Sequence, residues 1–346
     1  MLGEIVVPLL SWYADHKRTL PWRERKDPYH IWVSEIMLQQ TRVEAVKPYF
    51  QRFIRQLPDT AALAACPEER LLKLWEGLGY YNRVRNMQKA ARILQASYEG
   101  KLPETAEELK KLPGIGSYTA GAIASIAYGQ PVPAVDGNVL RILSRLRMDA
   151  REINKEKVKK EVETELAEVM PEKEAGSFNQ ALMDLGAGIC LPNGTPLCGD
   201  CPLRELCAAH REGAEEDFPR KEKKKPRRIE KRTILLIRDG ERIALQQRPE
   251  KGLLAGMYEF PNLEGWLSEQ EALDLAGQRG FLPVRIKALP DAVHIFTHIE
   301  WRMIGYEIRV AALDEDHSGG LLLAELQRIR EQYPLPSAYR VYMEQL

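Results

Sequence analysis

Residues 112–119 read Leu-Pro-Gly-Ile-Gly-Ser-Tyr-Thr and lie between two helical patterns, one ending at Lys111 and the next beginning near Ser117. A Pro-Gly-x-Gly turn exposes backbone N–H groups, here those around Gly114 and Gly116, at the start of the following helix. Such a positive helix end can hold a phosphate without contacting any base. An ordinary glycine turn between antiparallel helices has the same pattern. The stretch therefore indicates either a phosphate-binding hairpin or a structural turn within a helical domain.

Apolar residues recur at helical spacing on both sides of this turn, from the N-terminus to about Arg211. We expect helices near residues 4–17, 30–46, 48–56, 68–75, 80–98, 105–112, 117–128, 137–146, 155–169 and 174–188. The stretch that follows is dense in charge and poor in apolar residues, which is typical of a linker. The sequence thus predicts an all-α N-terminal region over residues 1–211 and a charged linker over 212–232.

Short apolar runs replace the helical pattern in the last third of the chain. Thr233–Ile237 and Arg242–Gln247 flank Arg-Asp-Gly-Glu, which is a hairpin signal. Further strands are expected at Val293–Ile299 and Met303–Val310, and an amphipathic helix at Leu321–Tyr333. Residues 233–346 are therefore predicted to form a smaller α+β domain.

The composition is that of a globular protein, with 346 residues, 44% hydrophobic and 29% charged. Residues 1–232 carry 38 basic and 33 acidic side chains, whereas 233–346 carry 12 and 17, so the first part suits a polyanionic partner better. No apolar run is long enough to span a bilayer, and the N-terminus has no basic region typical of a signal peptide. We expect a cytoplasmic protein with no membrane partner.

Four of the five cysteines are crowded together as Cys190-x7-Cys198-x2-Cys201-x5-Cys207. Four thiolates at such spacing can surround one metal centre, either a structural zinc ion or a [4Fe–4S] cluster. A secreted disulfide framework is not indicated, because one short segment holds all four.

Two carboxylates stand in positions that suit catalysis. Asp136 precedes a helix and follows the hairpin by about twenty residues; an ordinary N-cap accounts for it equally well. Glu35 has Ile31 and Leu38 as its helical neighbours, and burial among them would favour its protonated form, as a general acid requires. The alternative for Glu35 is an exposed position on the helix surface.

These features together resemble the endonuclease III superfamily of DNA glycosylases, and in detail its MutY-type adenine-specific branch. The resemblance covers essentially the whole chain. Its matching motifs are Leu20-Pro21-Trp22-Arg23, Ser34 to Thr41, Gly77-Leu78-Gly79-Tyr80-Tyr81, Leu112 to Thr119, Val135 to Asn138 and Phe178-Asn179-Gln180. It implies two helical subdomains, a four-cysteine loop that binds a [4Fe–4S] cluster, and a Nudix-like C-terminal domain that has lost its catalytic box.

The chain departs from the family pattern in three places. The family leaves six residues between the first two cluster cysteines, whereas seven separate Cys190 and Cys198. The family's lesion-reading Phe-Ser-His is Phe296-Thr297-His298 here, so a hydroxyl is retained with an added methyl group. Bifunctional relatives carry a lysine in the hairpin helix where this chain has Tyr118, which implies a monofunctional hydrolase that forms no Schiff base.

The resemblance implies hydrolysis of the bond between deoxyribose and an adenine mispaired with 8-oxoguanine or guanine in double-stranded DNA. Glu35 is predicted to be the general acid, and Asp136 to stabilise the sugar cation, with Asn138 and Tyr118 orienting Asp136 and the water. The predicted substrate-binding residues fall into three groups. Trp22, Arg23, Leu38 and Gln180 would line the base pocket; Gln40, Thr41, Leu78 and Tyr80 would fill the space left by the base and contact its partner base; Phe296, Thr297 and His298 would contact the opposite base.

Two other functions fit parts of the pattern. A glycosylase for oxidised pyrimidines is disfavoured by Tyr118 and by the appended C-terminal domain. A mispair-binding protein without chemistry would share the hairpin and the cysteines, and only an activity assay separates it. We expect the protein to act as a monomer.

Overall fold

The structure is a computed structural model that describes residues 2–220, 226–312 and 321–346. Two compact units are present: Met1–Ala65 with Arg85–Lys223, called the helical unit, and Cys66–Val84 with Lys224–Leu346, called the sheet unit. Neither unit contains, among its described residues, a helix with the length and hydrophobicity needed to cross a membrane.

The described residues before 221 form helices and no strand, as predicted for the N-terminal region. The α-helices are α1 (Val6–His16), α2 (Pro28–Leu38), α3 (Val43–Gln56), α4 (Thr60–Ala65), α5 (Glu68–Trp75), α6 (Asn82–Ser97), α7 (Ala106–Leu109), α8 (Ser117–Tyr128), α9 (Gly137–Arg147), α10 (Glu156–Ala167), α11 (Ala175–Gly188) and α12 (Ala208–Arg211). Short 3-10 helices cover Leu2–Ile5, Pro21–Arg23, Cys198–Asp200, Arg204–Leu206 and Glu215–Asp217.

The helix expected over residues 30–46 is wrong, because the chain breaks after Leu38. Gln40 has a φ of 61°, in the left-handed region that L-residues rarely adopt, and α3 begins only at Val43. No glycine or proline marks the break, so periodicity alone could not find it. The break places Gln40 and Thr41 in a turn at the end of α2.

Helix α2 is buried on nearly all sides, which sets the position of its one carboxylate. Asp27 caps it by accepting hydrogen bonds from the N–H groups of Tyr29 and His30, and Pro28 occupies its first turn. Every residue from Ile31 to Met37 is buried, so an acidic residue in this run lies in the protein interior.

The sheet unit holds a seven-stranded sheet among its described residues. Its strands are β1 (Arg228–Asp239), β2 (Arg242–Gln247), β3 (Tyr258–Glu259), β4 (Asn262–Glu264), β5 (Pro283–Ile295), β6 (Ile299–Val310) and β7 (Leu322–Glu325), and its later helices are α13 (Glu269–Gln278), α14 (Leu326–Glu331) and α15 (Arg340–Met343). The main order is β3-β2-β1-β6-β5, with β4 beside β1 and β7 beside β2. The pair β1 and β6 is parallel and the other pairs are antiparallel.

Both faces of the sheet are covered by apolar side chains. Trp301 on β6 packs with Tyr339 and Tyr342 on one face, whereas Tyr306 and Ile308 lie with α13 on the other. This α+β architecture confirms the predicted fold class.

Two predicted details of the C-terminal region are wrong, and one helix was not predicted. Leu321–Tyr333 is not one helix, since it begins as β7 and turns helical only at α14. The strand expected over Val293–Ile299 ends at Ile295, so residues 296–298 form the turn between β5 and β6. Helix α13 was not predicted at all, although a Ser268–Glu271 capping box marks its start.

The two units differ from the predicted boundaries of 1–211, 212–232 and 233–346. Strand β1 takes in residues 228–232, because it pairs with β6 over eleven residues that begin at Arg228. Segment Cys66–Val84, which includes α5, belongs to the sheet unit although it lies within the predicted helical region. Contacts of this kind, between residues far apart in the chain, leave no local signal in the sequence.

Candidate active site

A cavity of about 680 Å³ in the helical unit brings together most of the predicted catalytic and base-binding residues. Its lining includes Trp22, Arg23, Glu35, Leu38, Thr41, Tyr118, Asp136, Asn138 and Gln180. This volume is in the range of small-molecule binding sites, and the lining combines a few polar groups with apolar ones. Such a cavity can hold a planar base. Gln40 is exposed and does not line this cavity.

Glu35 is the buried acid of the cavity and is only 5% exposed. Burial raises the pKa of its carboxyl to about 7, and the negative charge of Asp136 acts in the same direction. A hydrogen bond from the Tyr118 hydroxyl, 2.7 Å from Oε2, and the positive charge of Arg23 oppose the rise. At neutral pH a large fraction of Glu35 is therefore protonated and able to donate a proton.

Asp136 caps helix α9 and also lines the cavity, so the structural and the catalytic interpretations of this residue are compatible. Its Oδ1 accepts the N–H groups of Asn138 and Val139, each at 2.9 Å, at the start of α9. Its Oδ2 accepts the amide of Asn138 at 2.7 Å. Three donors thus fix the carboxylate in one orientation, as electrostatic stabilisation of a cation requires.

Arg141 fixes the side chain of Asn138 through a hydrogen bond. The Arg141 Nη2 lies 3.0 Å from Asn138 Oδ1 and also donates to the carbonyls of Gly186 and Cys190, at 2.8 and 2.7 Å. A Cβ on Gly186 would lie 2.6 Å from the Cβ of Asn138, so only glycine permits this approach. The chain of contacts links Asp136 to the first cysteine of the cluster motif.

Tyr118 contacts Glu35, and this corrects one predicted detail. Together with Asn138, Tyr118 was expected to orient Asp136 and the water, but its hydroxyl donates to Glu35 Oε2. Burial and the charges of Glu35 and Asp136 raise the pKa of Tyr118 well above its usual value, so the hydroxyl keeps its proton.

Asp184 is a buried carboxylate of the site that sequence analysis missed. Arg23 contacts both of its oxygens, at 2.7 and 2.9 Å, and Arg18 Nε donates to Oδ1 at 2.8 Å. Burial opposes ionisation, but these bonds hold the pKa of Asp184 below its usual range. A lone acidic residue among the apolar residues of α11 was the available signal. The pairing fixes Arg23 at the cavity wall.

The predicted hairpin lies before α8. Gly114 has a φ of 81°, and a Cβ there would lie 2.8 Å from the Cβ of Asn86, so glycine is required. Gly116 is exposed and precedes the first turn of α8, which no side chain caps. The exposed helix N-terminus suits a phosphate.

The predicted lesion-reading residues meet in the sheet unit. The hydroxyls of Tyr80 and Thr297 lie 3.1 Å apart, and Thr297 and His298 are exposed at the turn between β5 and β6. Phe296 anchors this turn by packing on Trp301, with ring centroids 4.9 Å apart. Leu78 is only 6% exposed, so its side chain is not free to fill a space in DNA in this structure.

Cys190, Cys198, Cys201 and Cys207 line one pocket of the helical unit. Burial raises the pKa of Cys201 to about 12, and the neighbouring thiols act in the same direction, so a bound metal centre would be required for Cys201 to be a thiolate ligand. The donor set is compatible with an iron–sulfur cluster. Cys198, His210 and Glu215 also place donor atoms within 4.8 Å of one another, a mixed set of the kind zinc accepts.

Comparisons with known proteins agree with this geometry. The profile of HhH-GPD superfamily base excision DNA repair proteins matches residues 33–171, and that of the NUDIX domain matches 233–345. The mouse adenine DNA glycosylase is 37% identical over an alignment of 365 positions, which covers 89% of this chain and 70% of the mouse protein. The chain belongs to the adenine DNA glycosylase family. A Buchnera aphidicola adenine DNA glycosylase is also 37% identical, over 74% of each chain.

Solved structures place the chain among endonuclease III-like folds. A thermostable thymine-DNA glycosylase is similar with a TM-score of 0.55 and 27% identity, over 61% of this chain and 97% of that one. Endonuclease III in a non-covalent DNA complex gives 0.53 and 26%, over 62% and 98%. The protein is therefore a DNA glycosylase of base excision repair, and DNA is its partner.

Proposed function

We propose that this adenine DNA glycosylase is monofunctional and removes adenine mispaired opposite 8-oxoguanine, or opposite guanine, in double-stranded DNA. The observation that carries the proposal is the pairing of a buried, protonatable Glu35 with a fixed Asp136 in one cavity. Two carboxyl groups in such different environments can act as acid and as electrostatic stabiliser.

Excision begins with the adenine turned out of the duplex into the cavity, because a stacked base cannot be reached. Trp22, Leu38 and Gln180 line the space that the base would occupy. Glu35 transfers its proton to N7 of adenine, and the electron pair of the glycosidic bond leaves with the base.

The sugar then carries the positive charge of an oxocarbenium ion. Asp136 stabilises this charge because three N–H donors already hold its carboxylate in place. Water adds to the sugar carbon and loses a proton, which Glu35 can accept, so the products are free adenine and an abasic site.

The opposite base is read by Tyr80 and Thr297, whose hydroxyls are adjacent. 8-Oxoguanine differs from guanine by an oxygen at C8 and a hydrogen on N7, which turns an acceptor into a donor. A hydroxyl both donates and accepts, so it can bond this altered edge. Residues 233–346 of the sheet unit carry a net negative charge, so attraction to phosphate does not explain why this part of the protein would contact DNA.

Replacing Thr297 with alanine should lower the preference for 8-oxoguanine over guanine by about 1–3 kcal/mol, the scale of one base-edge contact. Thr297→Ser should keep the preference, since it keeps the hydroxyl. The preference is measured from excision on matched duplexes carrying each mispair. Equal discrimination by Thr297→Ala and the wild type would remove Thr297 from the reading site.

One assay tests the proposed function as a whole. A duplex with a single adenine opposite 8-oxoguanine is incubated with enzyme, and half of the sample is then heated in alkali. Strand cleavage at the adenine only after alkali supports a monofunctional adenine glycosylase. Cleavage without alkali would contradict the monofunctional assignment, activity only on oxidised pyrimidines would favour that other glycosylase class, and binding without cleavage would leave a mispair-binding protein.

We also propose that the four cysteines hold a [4Fe–4S] cluster, which would fasten the loop that follows α11. Cys190 joins this loop to α9 through Arg141 and Arg145, whose Nη1 lies 3.3 Å from Cys190 Sγ. The purified protein should be brown and contain about four irons per chain. Stoichiometric zinc without iron, in protein prepared anaerobically, would contradict this assignment and favour a structural zinc site.

A further inference from the structure

Lys73 near the end of α5 joins parts of the sheet unit that are far apart in the sequence. Its Nζ donates to the carbonyls of Ile329, at 3.2 Å, and Tyr333, at 3.0 Å, around the C-terminal end of α14. Carbonyls at a helix C-terminus carry partial negative charge and favour a lysine. The Lys73 side chain is only 17% exposed, so these bonds are shielded from water.

Glu76, three residues after Lys73, contacts the same C-terminal segment. One carboxylate oxygen pairs with Lys73 Nζ at 2.6 Å, and the other accepts the N–H of Leu335 at 2.8 Å. Lys73 and Glu76, called the clasp, therefore bind segment 329–335 with three hydrogen bonds and share one ion pair.

The loop that follows the clasp is held from both of its ends. Trp75 Nε1 donates to the carbonyl of Gly79 at 3.1 Å, and Arg83 Nη2 donates to the carbonyls of Leu78 and Gly79 at 3.0 and 3.1 Å. Tyr80 sits in this loop with a φ of 48°, which an aromatic residue adopts only when its surroundings impose it.

Tyr80 is not positioned by burial, because half of its surface is exposed. Its hydroxyl nevertheless lies 3.1 Å from that of Thr297. The polar contacts at the two ends of the loop thus set its backbone in place, and the Arg83 guanidinium lies 5.5 Å from the centroid of the Tyr80 ring. The clasp ties the residues just before this loop to segment 329–335.

We infer that Lys73 and Glu76 are specificity-determining positioning residues, which hold Tyr80 against Thr297 so that the pair can read the base opposite the adenine. This inference rests on the proposed function. The clasp residues do not line the cavity and act through Tyr80.

The test is the rate of adenine excision measured against enzyme concentration in single turnovers, on duplexes with 8-oxoguanine or guanine opposite the adenine. For Lys73→Met, the ratio of half-saturating concentrations for the two duplexes should shrink about tenfold, as for loss of one charge-assisted hydrogen bond. The maximal rate on the guanine duplex should stay within about twofold of wild type, since the cavity is untouched. Lys73→Arg should restore the preference, because it keeps the charge and the donors.

Two comparisons separate positioning from a general loss of structure. Lys155→Met removes an ion pair of the same length and spacing, with Glu152 at 2.6 Å on the surface of the helical unit, and should leave the preference unchanged. In a Thr297→Ala background, Lys73→Met should cause no further loss, since both act on one contact. Glu76→Gln, which keeps an acceptor for Leu335, should show a smaller loss in the same direction and serves if Lys73→Met folds poorly.

The possible outcomes separate failure of the inference from failure of the proposed function on which it rests. A wild type without any preference for 8-oxoguanine would overturn the proposed lesion specificity and the inference with it. A wild type with the preference, together with folded clasp variants that keep it, would overturn the inference alone. Additive losses in the Thr297→Ala background would also overturn it.

Discussion

Replacing Glu35 with glutamine should lower the single-turnover rate of adenine excision at least about 100-fold, the scale expected for loss of a general acid. Binding of the mispaired duplex should be preserved, because a buried side chain supplies no contact with phosphate. The wild-type rate should fall as pH rises through about 7, where Glu35 loses its proton. The variant should lack this dependence.

The stability of the same variant provides an internal control. The folded-state pKa of Glu35 is about 7, above its ordinary value of 4.5, so the wild type loses unfolding free energy as pH rises from the lower value through the higher one. Glu35→Gln removes this loss. Thermal unfolding at pH 8 should therefore show a variant at least as stable as the wild type. A folded variant that excises adenine at a near wild-type rate would exclude Glu35 as the acid.

The burial of Glu35 was predictable because its determinants are local. Ile31 and Leu38 flank it at helical spacing, and the carboxyl lies in the interior that they indicate. The capping position of Asp136 was predictable for the same reason, since an N-cap needs only the residues that follow it. Where neighbours in the sequence set the environment, the pattern was sufficient.

Other parts of the site depend on contacts between distant segments. Asp184 accepts hydrogen bonds from Arg18 and Arg23, which lie more than 160 residues earlier in the chain. No local sequence pattern predicts such a pair. The left-handed Gln40 is a backbone feature of a turn that contains no glycine. Apolar spacing predicts helices and cores, but it does not report which distant polar groups meet.

The sheet unit shows the same limit at a larger scale. The motif containing Tyr80 and the turn containing Thr297 were each predicted to contact DNA, but as separate elements. The structure places their hydroxyls 3.1 Å apart, because segment Cys66–Val84 belongs to the sheet unit. From a single sequence, such a segment is predicted to belong to the same unit as its neighbours in the chain. Only its tertiary contacts show that it belongs to the other unit.

Replacing Asp136 with asparagine should also slow excision at least about 100-fold, while duplex binding is retained. The substitution keeps the shape of the side chain and one oxygen for the N–H groups of Asn138 and Val139, and asparagine caps helices about as well as aspartate. What it removes is the charge opposite the sugar cation. It also sets an amide against the amide of Asn138, whose oxygen already accepts from Arg141.

A matched variant separates loss of charge from loss of a cap. Asp27 caps α2 through Tyr29 and His30 as Asp136 caps α9, but it does not line the cavity. Asp27→Asn should therefore change the single-turnover rate less than about twofold, since only a cap of similar strength is exchanged. Maximal rates of both variants at saturating enzyme, with thermal unfolding measured alongside, complete the comparison. If Asp136→Asn excises adenine as fast as Asp27→Asn, Asp136 acts only as an N-cap, and the sugar cation must be stabilised by another group of the cavity.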